Sequence, residues 1–276
     1  MNFVIVGAGY TGLSVIKKLS NDYTTYITRS FKGFKCASKI IDLDDNINSI
    51  DLQGPYNLLY TVPPNPNLEI DNRLPSLLNN ISTLPNRFVY ISTSGVYGNH
   101  YGRLVNELTS PKPQTTRAKK RVVAEQYLND WCYKKNIELI VLRVSGIYGP
   151  QRLGLERINK NLTIINENEA MTSNRIHIDD LTTSCISALK DKKASGIYNI
   201  SDGDFRSNTW FIKKLCELKG IPSPKEISYE EAIQTWDKKR VSFLKESRRL
   251  DNRKLRDDLK IKLLYSNAEK GIKASL

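Results

Sequence analysis

The chain has 276 residues, 39% of them hydrophobic, with 42 Lys and Arg against 29 Asp and Glu, and a formal net charge of +13. That length and apolar content allow a sizeable core and exclude global disorder, and no run approaches the roughly 18 apolar residues of a membrane span. With only His100 and His177, and with Cys36, Cys132, Cys185 and Cys216 scattered, no multi-histidine metal site, zinc ribbon or disulfide framework is expected.

The chain opens on an apolar run, Phe3 to Val6, with no basic stretch before it, so no signal peptide and a cytoplasmic location are expected. Short apolar runs then alternate with helix-like stretches, the pattern of βαβ units on a parallel sheet. Strands are predicted at Asn2–Val6, Thr24–Thr28, Lys39–Ile41, Asn57–Val62, Arg87–Ile91 and Ile137–Arg143, and helices near Thr11–Ser20, Leu68–Leu84 and Gln114–Lys135. Pro63, Pro64 and Pro66 end the fourth strand in a loop, and Ser92–Pro113, rich in Gly, Ser and Tyr, reads as a long loop over the sheet. One more strand–helix return is expected around Ile176–Leu189 and Ile197–Ile200, and the chain from Phe205 onward looks helical and basic, densest from Lys238 to Lys262. The expected fold is α/β, a Rossmann-type doubly wound parallel sheet with a small C-terminal substrate lobe. Its dinucleotide-binding domain would span 1–150, with 176–203 returning to it, and 151–175 and 204–276 would form the lobe.

Gly7-Ala8-Gly9-Tyr10-Thr11-Gly12 follows the first strand and opens a helix with Leu13, Ile16 and Leu19 on one stripe. In this context Gly7 permits a tight turn, Gly9 lets a pyrophosphate approach the backbone, and Gly12 allows close helix–strand packing. The phosphates would sit on the helix N-terminus beside Tyr10 and Thr11, where free N–H groups and the dipole favour anions. About 20 residues on, an acidic residue would bind the ribose of NAD. Here Thr28, Arg29 and Ser30 stand instead, with Lys32 and Lys35 behind. A basic residue beside a hydroxyl suits a 2′-phosphate, so NADP(H) is expected in preference to NAD(H), with Arg29 and Ser30 as contacts. Asp42 would approach the adenine or cap a helix. Thr61 and Val62, closing the fourth strand, complete the candidate cofactor contacts.

The chain resembles the short-chain dehydrogenase/reductase superfamily in its extended, epimerase/dehydratase branch. The resemblance rests on Gly7–Gly12, Ile91-Ser92-Thr93-Ser94-Gly95-Val96-Tyr97-Gly98, Ala124-Glu125-Gln126, Leu142-Arg143 with Gly146-Ile147-Tyr148-Gly149-Pro150, Ile176-His177-Ile178-Asp179-Asp180, and Ile197-Tyr198-Asn199-Ile200, in the expected order. Ser247 to Leu255 also resembles the family's basic lobe segment. Val6 stands where extended members carry the first glycine of their loop. A larger departure concerns the Tyr-x-x-x-Lys pair on which the family's chemistry relies: none of the 14 tyrosines has a lysine four residues later.

Aligning on Ala124-Glu125 puts Arg117 and Arg121 at the positions of that tyrosine and lysine; a one-residue shift gives Thr116 and Lys120. Arg117 stays protonated and cannot be a general base. Arg121 would keep the lysine's contact to a ribose. With Lys120, the two arginines form either a site for an anionic ligand or a solvated basic face. The resemblance makes Thr93, with Ser92 and Ser94 as alternates, the residue that hydrogen-bonds a substrate oxygen. Tyr97 becomes the remaining proton donor, its phenol pKa lowered by a nearby arginine. His177 titrates near neutrality, but Asp179 or Asp180 as an N-cap explains its segment without chemistry.

These features suggest the atypical subgroup that lacks the pair. Two functions compete: an NADP(H)-dependent oxidoreductase or epimerase on a sugar nucleotide or similar phosphorylated metabolite, with Thr93, Tyr97 and Arg121 at the reacting centre, and a cofactor-binding sensor or scaffold without turnover. Nucleic-acid binding by Lys238–Lys262 ranks last, because Phe243 is its only aromatic. No membrane or metal is expected, and the chain would be a monomer or homodimer.

Overall fold

The computed structural model describes all residues except 1, 20–23, 31–32, 34–35, 159 and 161. The chain runs β1 (Asn2–Val6), α1 (Tyr10–Lys18), β2 (Thr24–Thr28), β3 (Ala37–Ile40), β4 (Tyr56–Tyr60), α2 (Arg73–Asn80), β5 (Arg87–Thr93), a 3₁₀ turn (Ser94–Tyr97), β6 (Leu104–Val105), α3 (Thr116–Lys135), β7 (Glu138–Val144) and β8 (Gly146–Tyr148). It continues as α4 (Leu155–Ile158), β9 (Thr163–Ile165), β10 (Arg175–His177), α5 (Ile178–Lys190), β11 (Gly196–Ile200), α6 (Asn208–Lys219), β12 (Lys225–Ile227), α7 (Tyr229–Thr235), α8 (Lys238–Leu244), β13 (Arg249–Leu250), α9 (Arg253–Asp257) and α10 (Ala268–Ser275).

Seven parallel strands form the central sheet in the order β11-β7-β5-β4-β1-β2-β3. Because successive side chains point to opposite faces, the apolar runs feed two cores. Phe3, Ile5, Leu59, Val89 and Ile91 meet α1 and α5 on one face, whereas Val4, Val6, Leu58, Tyr60, Phe88 and Tyr90 meet α2 and α3 on the other. The chain leaves β1 towards β2 and β3, then crosses to β4. The carboxyl ends of β1 and β4 therefore flank the point where strand order reverses, the crevice in which such sheets take ligands.

Three expectations need correction. The helix expected over Leu68–Leu84 shrinks to Arg73–Asn80. Pro75 lacks the N–H that a longer helix would use, and Asp71 instead accepts from the Asn65 N–H at 2.9 Å, folding 65–71 into a loop. At the other end Ile81 leaves the helix to bridge Ile50. The loop expected over Ser92–Pro113 contains the 3₁₀ turn and β6, which pairs with β13, so the all-helical expectation beyond Phe205 also fails. There β12 pairs with β9 as well, and α6 and α10 pack through Phe211, Leu215, Ala268 and Ile272 against Tyr148.

Candidate functional site

At the end of β1, Gly7 has φ +97°, and a Cβ there would lie 2.6 Å from Thr61 Oγ1. Gly12 is tighter still: its Cβ would stand 1.9 Å from the Gly7 carbonyl oxygen. The Thr61 hydroxyl donates to that same carbonyl at 2.8 Å, so Thr61 braces the loop from below. A Cβ on Gly9 would meet nothing within 4 Å. Gly9 is the N-cap of α1 and provides no side-chain cap, which leaves the first-turn N–H groups open towards the space above the loop. Gly7 and Gly12 are thus required by the packing of the loop itself, whereas nothing in the chain crowds Gly9. Tyr10 donates from its hydroxyl to the Pro150 carbonyl at 2.8 Å, under the Arg152 guanidinium, and ties the start of α1 to the loop after β8. Thr11 is buried, and Val62 is half-buried against Gly7.

At the end of β2, the Arg29 side chain is 56% exposed, with Nε 3.0 Å from Asp42 Oδ1 and a second ion pair to Asp44. Asp44 is gripped by Arg73 through Nε at 2.7 Å and Nη2 at 2.6 Å, and by Asn65 Nδ2 at 3.0 Å. The Arg73 guanidinium holds the Asp44 carboxyl at about 2. Asp42 caps no helix; its Oδ1 accepts from the Asp44 N–H at 3.0 Å in a turn. Ser30 is exposed beside Arg29, while Lys32 and Lys35 lie outside the described residues. Sequence reasoning missed Asp44 and Arg73, whose contacts join three separate segments.

Past β5, Thr93 Oγ1 accepts from the Gly95 N–H at 3.2 Å and caps the 3₁₀ turn. Ser92 instead points into the sheet, donating to Glu125, which pairs with Arg143 at 2.8 Å. Ser94 is buried. Tyr97 is 0% exposed, and its hydroxyl donates to Asn199 Oδ1 at 2.7 Å. The Arg143 guanidinium lies over its ring at 4.9 Å, yet burial outweighs that cation and the phenol pKa rises. The expected lowering therefore does not occur.

Arg117, Lys120 and Arg121 of α3 do not converge. Arg117 is exposed over the Phe243 ring, Lys120 donates to the Asn65 carbonyl at 2.8 Å, and buried Arg121 donates to the Tyr90 hydroxyl at 3.0 Å and the Ile91 carbonyl at 2.5 Å. Thr116, the other half of the shifted register, is exposed. His177, not Asp179 or Asp180, caps α5: Nδ1 accepts from the Asp179 N–H at 3.2 Å. Its ring is 1% exposed, Nε2 lies 3.0 Å from Ser275 Oγ, and burial lowers its pKa. Asp180 instead accepts the N–H groups of Leu264 at 2.8 Å and Tyr265 at 3.0 Å, fastening the C-terminal segment to α5.

Residues 65–201 match the model of the NAD dependent epimerase/dehydratase family, the stretch that carries β5, α3 and β7 through β11. This segment belongs to that family. Human dTDP-D-glucose 4,6-dehydratase is 24% identical over 158 residues, which are 54% of this chain and 44% of the relative, so the match spans less than half of that protein. A functionally unknown conserved protein from Silicibacter pomeroyi superimposes with a TM-score of 0.81 at 23% identity, over 99% of this chain and 97% of that one. UDP-glucose 4-epimerase of Thermotoga maritima gives 0.76 at 18% identity, over 100% and 97%. At these identities the superpositions speak for the fold. Of the residues expected at the tyrosine–lysine positions, Arg117 and Thr116 are exposed, Arg121 is fixed to the sheet, and Lys120 is held by backbone carbonyls. No helix among the described residues is long and apolar enough to cross a membrane.

Proposed function

We propose that the crevice outside β1 and β4 binds a nicotinamide dinucleotide, NADP(H) in preference to NAD(H), and that the chain is an oxidoreductase or epimerase acting on a sugar nucleotide or similar phosphorylated metabolite. The observation that carries the reading is the open face at Gly9, above an uncapped helix start and at the sheet's reversal point. The cradle fits a pyrophosphate, because the loop is braced from below by Thr61 and leaves its N–H groups facing outward. The family match and the sugar-nucleotide names of the relatives support the substrate class.

The bound nicotinamide would supply the hydride chemistry; the chain's own residues position and polarise. Arg29, already half in solvent, exchanges its two carboxylate partners for a 2′-phosphate beside Ser30. Thr93 accepts one N–H and keeps its hydroxyl proton for a substrate oxygen. Arg117 offers a fixed positive charge to a substrate phosphate, and electrostatic positioning of this kind lowers barriers without a strong base. Residues 1–150 with 176–203 would serve as the cofactor-binding unit and 151–175 with 204–276 as the substrate lobe.

Fluorescence titration tests the reading: NADPH binds more tightly than NADH, and Arg29→Ala removes the difference. Equal affinities in the unmodified protein overturn the cofactor choice. A second reading, cofactor binding without turnover, is favoured by the sequestered Tyr97 hydroxyl. Net oxidation of NADPH by keto-sugar nucleotides, or conversion of a sugar nucleotide to its epimer on chromatography, decides for the enzyme; the absence of both decides for the sensor.

A further inference from the structure

At the β11 edge of the sheet, a cleft of about 810 Å³ opens between the loop after β11 and the segment around α9. Its floor is Asp202, which is 2% exposed. The Asp202 N–H donates to the Arg175 carbonyl at 2.7 Å, and Oδ1 accepts from the Asp204 N–H at 2.9 Å. Oδ2 has no hydrogen-bond partner. Burial raises the Asp202 carboxyl to about 8, so near neutrality it holds a proton and is a buried hydroxyl donor without a partner. Leaving such a group unpartnered costs about 1–3 kcal/mol, which a ligand acceptor would recover.

The rim has the opposite character. Arg256, Lys260 and Lys262 are exposed and make no ion pair among the described residues, whereas neighbouring Arg253 is already paired with Asp251. Phe205 and Leu250 add apolar lining. This combination of exposed cations, apolar lining and one buried donor suits a phosphate attached to a ring with polar edges. The volume lies within the usual range of about 300–1,000 Å³ for small-molecule sites.

We propose that this cleft is a second ligand site, for a nucleoside phosphate, with Arg256 and Lys262 on the phosphates and Asp202 on the base or sugar. It is separate from the crevice at Gly9: three strands stand between β1 and β11, so the sheet alone spaces the sites by roughly 19 Å. Most of its lining lies in the 204–276 lobe, but none of the side chains given a cofactor or substrate contact above lines it.

Calorimetric titration of the full chain, saturated with NADPH, with UDP, ADP and inorganic pyrophosphate tests the site. At least one of the two nucleotides binds, and Arg256→Ala/Lys262→Ala weakens that binding tenfold or more. Asp202→Asn weakens the nucleotide several-fold and spares pyrophosphate. Absence of binding by both nucleotides overturns the proposal. So does a nucleotide isotherm that the double rim variant leaves unchanged, which would put the ligand outside this cleft. Both rim residues are exposed, so the double variant keeps its fold and the result stays interpretable if Asp202→Asn does not.

Discussion

Gly9→Ala separates ligand binding from folding. The backbone at Gly9 has φ −83° and ψ −166°, which alanine adopts without strain, and the new Cβ meets nothing within 4 Å. Replacing glycine at such a position stabilises a fold by about 0.4–1 kcal/mol, through the unfolded chain. The melting temperature should therefore hold or rise slightly. The same methyl occupies the space through which a pyrophosphate reaches the first-turn N–H groups of α1. Losing one hydrogen bond to a charged group costs about 1.5–3 kcal/mol, and each 1.4 kcal/mol is tenfold, so NADPH affinity should fall by about 10- to 100-fold or more. Thermal unfolding and NADPH fluorescence titration on the same preparation read both quantities. Unchanged affinity in a well-folded Gly9→Ala protein would refute the assignment of this loop to a dinucleotide.

Gly12→Ala should fail in the opposite way. Its Cβ would press on the Gly7 carbonyl oxygen, a backbone atom that cannot swing aside, so denaturant unfolding should show about 1–3 kcal/mol or more of destabilisation together with lost cofactor binding. Tyr97→Phe leaves Asn199 Oδ1 without its donor and should cost about 1–3 kcal/mol in stability. If the chain turns over a substrate, kcat should not change, and a large fall in kcat at constant stability would restore Tyr97 as a proton donor. Asp202 gives a pH signature. The unfolded carboxyl loses its proton near 4 and the folded one near 8, so its stabilising contribution is whole at low pH and is lost as pH rises through that interval. Asp202→Asn should flatten the fall in melting temperature between pH 4 and 8, and an unchanged profile would place the carboxyl's pKa elsewhere.

What could be read from the sequence was whatever repeats locally. The apolar runs Phe3 to Val6 and Phe88 to Ile91 announce strands buried on both faces, and the glycine spacing announces a turn whose geometry only glycine allows. What stayed hidden was chemistry assembled over distance. Tyr97 looks available in its motif, but the residue that takes its hydroxyl, Asn199, is 102 positions away. Arg29 reads as a free cation until Asp44, 15 residues on, is seen to share it with Arg73. His177 is structural, as its motif position suggests, but the cap is the imidazole itself and not Asp179 or Asp180: a buried ring nitrogen accepts the N–H as a carboxylate would.

The excess of positive charge has a structural explanation that also bears on nucleic acid. Arg121 and Arg175 are buried and spend their donors largely on backbone carbonyls, so neither needs a carboxylate, and each adds to the net charge from inside the fold. The dense stretch from Lys238 to Lys262 is similarly divided. Arg240 lies over Trp236, Arg248 holds the Gly98 carbonyl, Arg249 holds that of Gly102, Arg253 pairs with Asp251, and Lys254 reaches the carbonyl of Ile197. Among the described residues of this stretch, Arg256, Lys260 and Lys262 gather around one cleft. Binding a nucleic-acid backbone draws affinity from many cations released onto a regular line of phosphates, with a salt slope of about −0.9 per contact on duplex DNA. Three cations gathered at a pocket provide little of that. Arbitrary duplex DNA should therefore show no gel shift at physiological salt, and a tight shift with a slope steeper than about −3 would require a basic track outside this stretch.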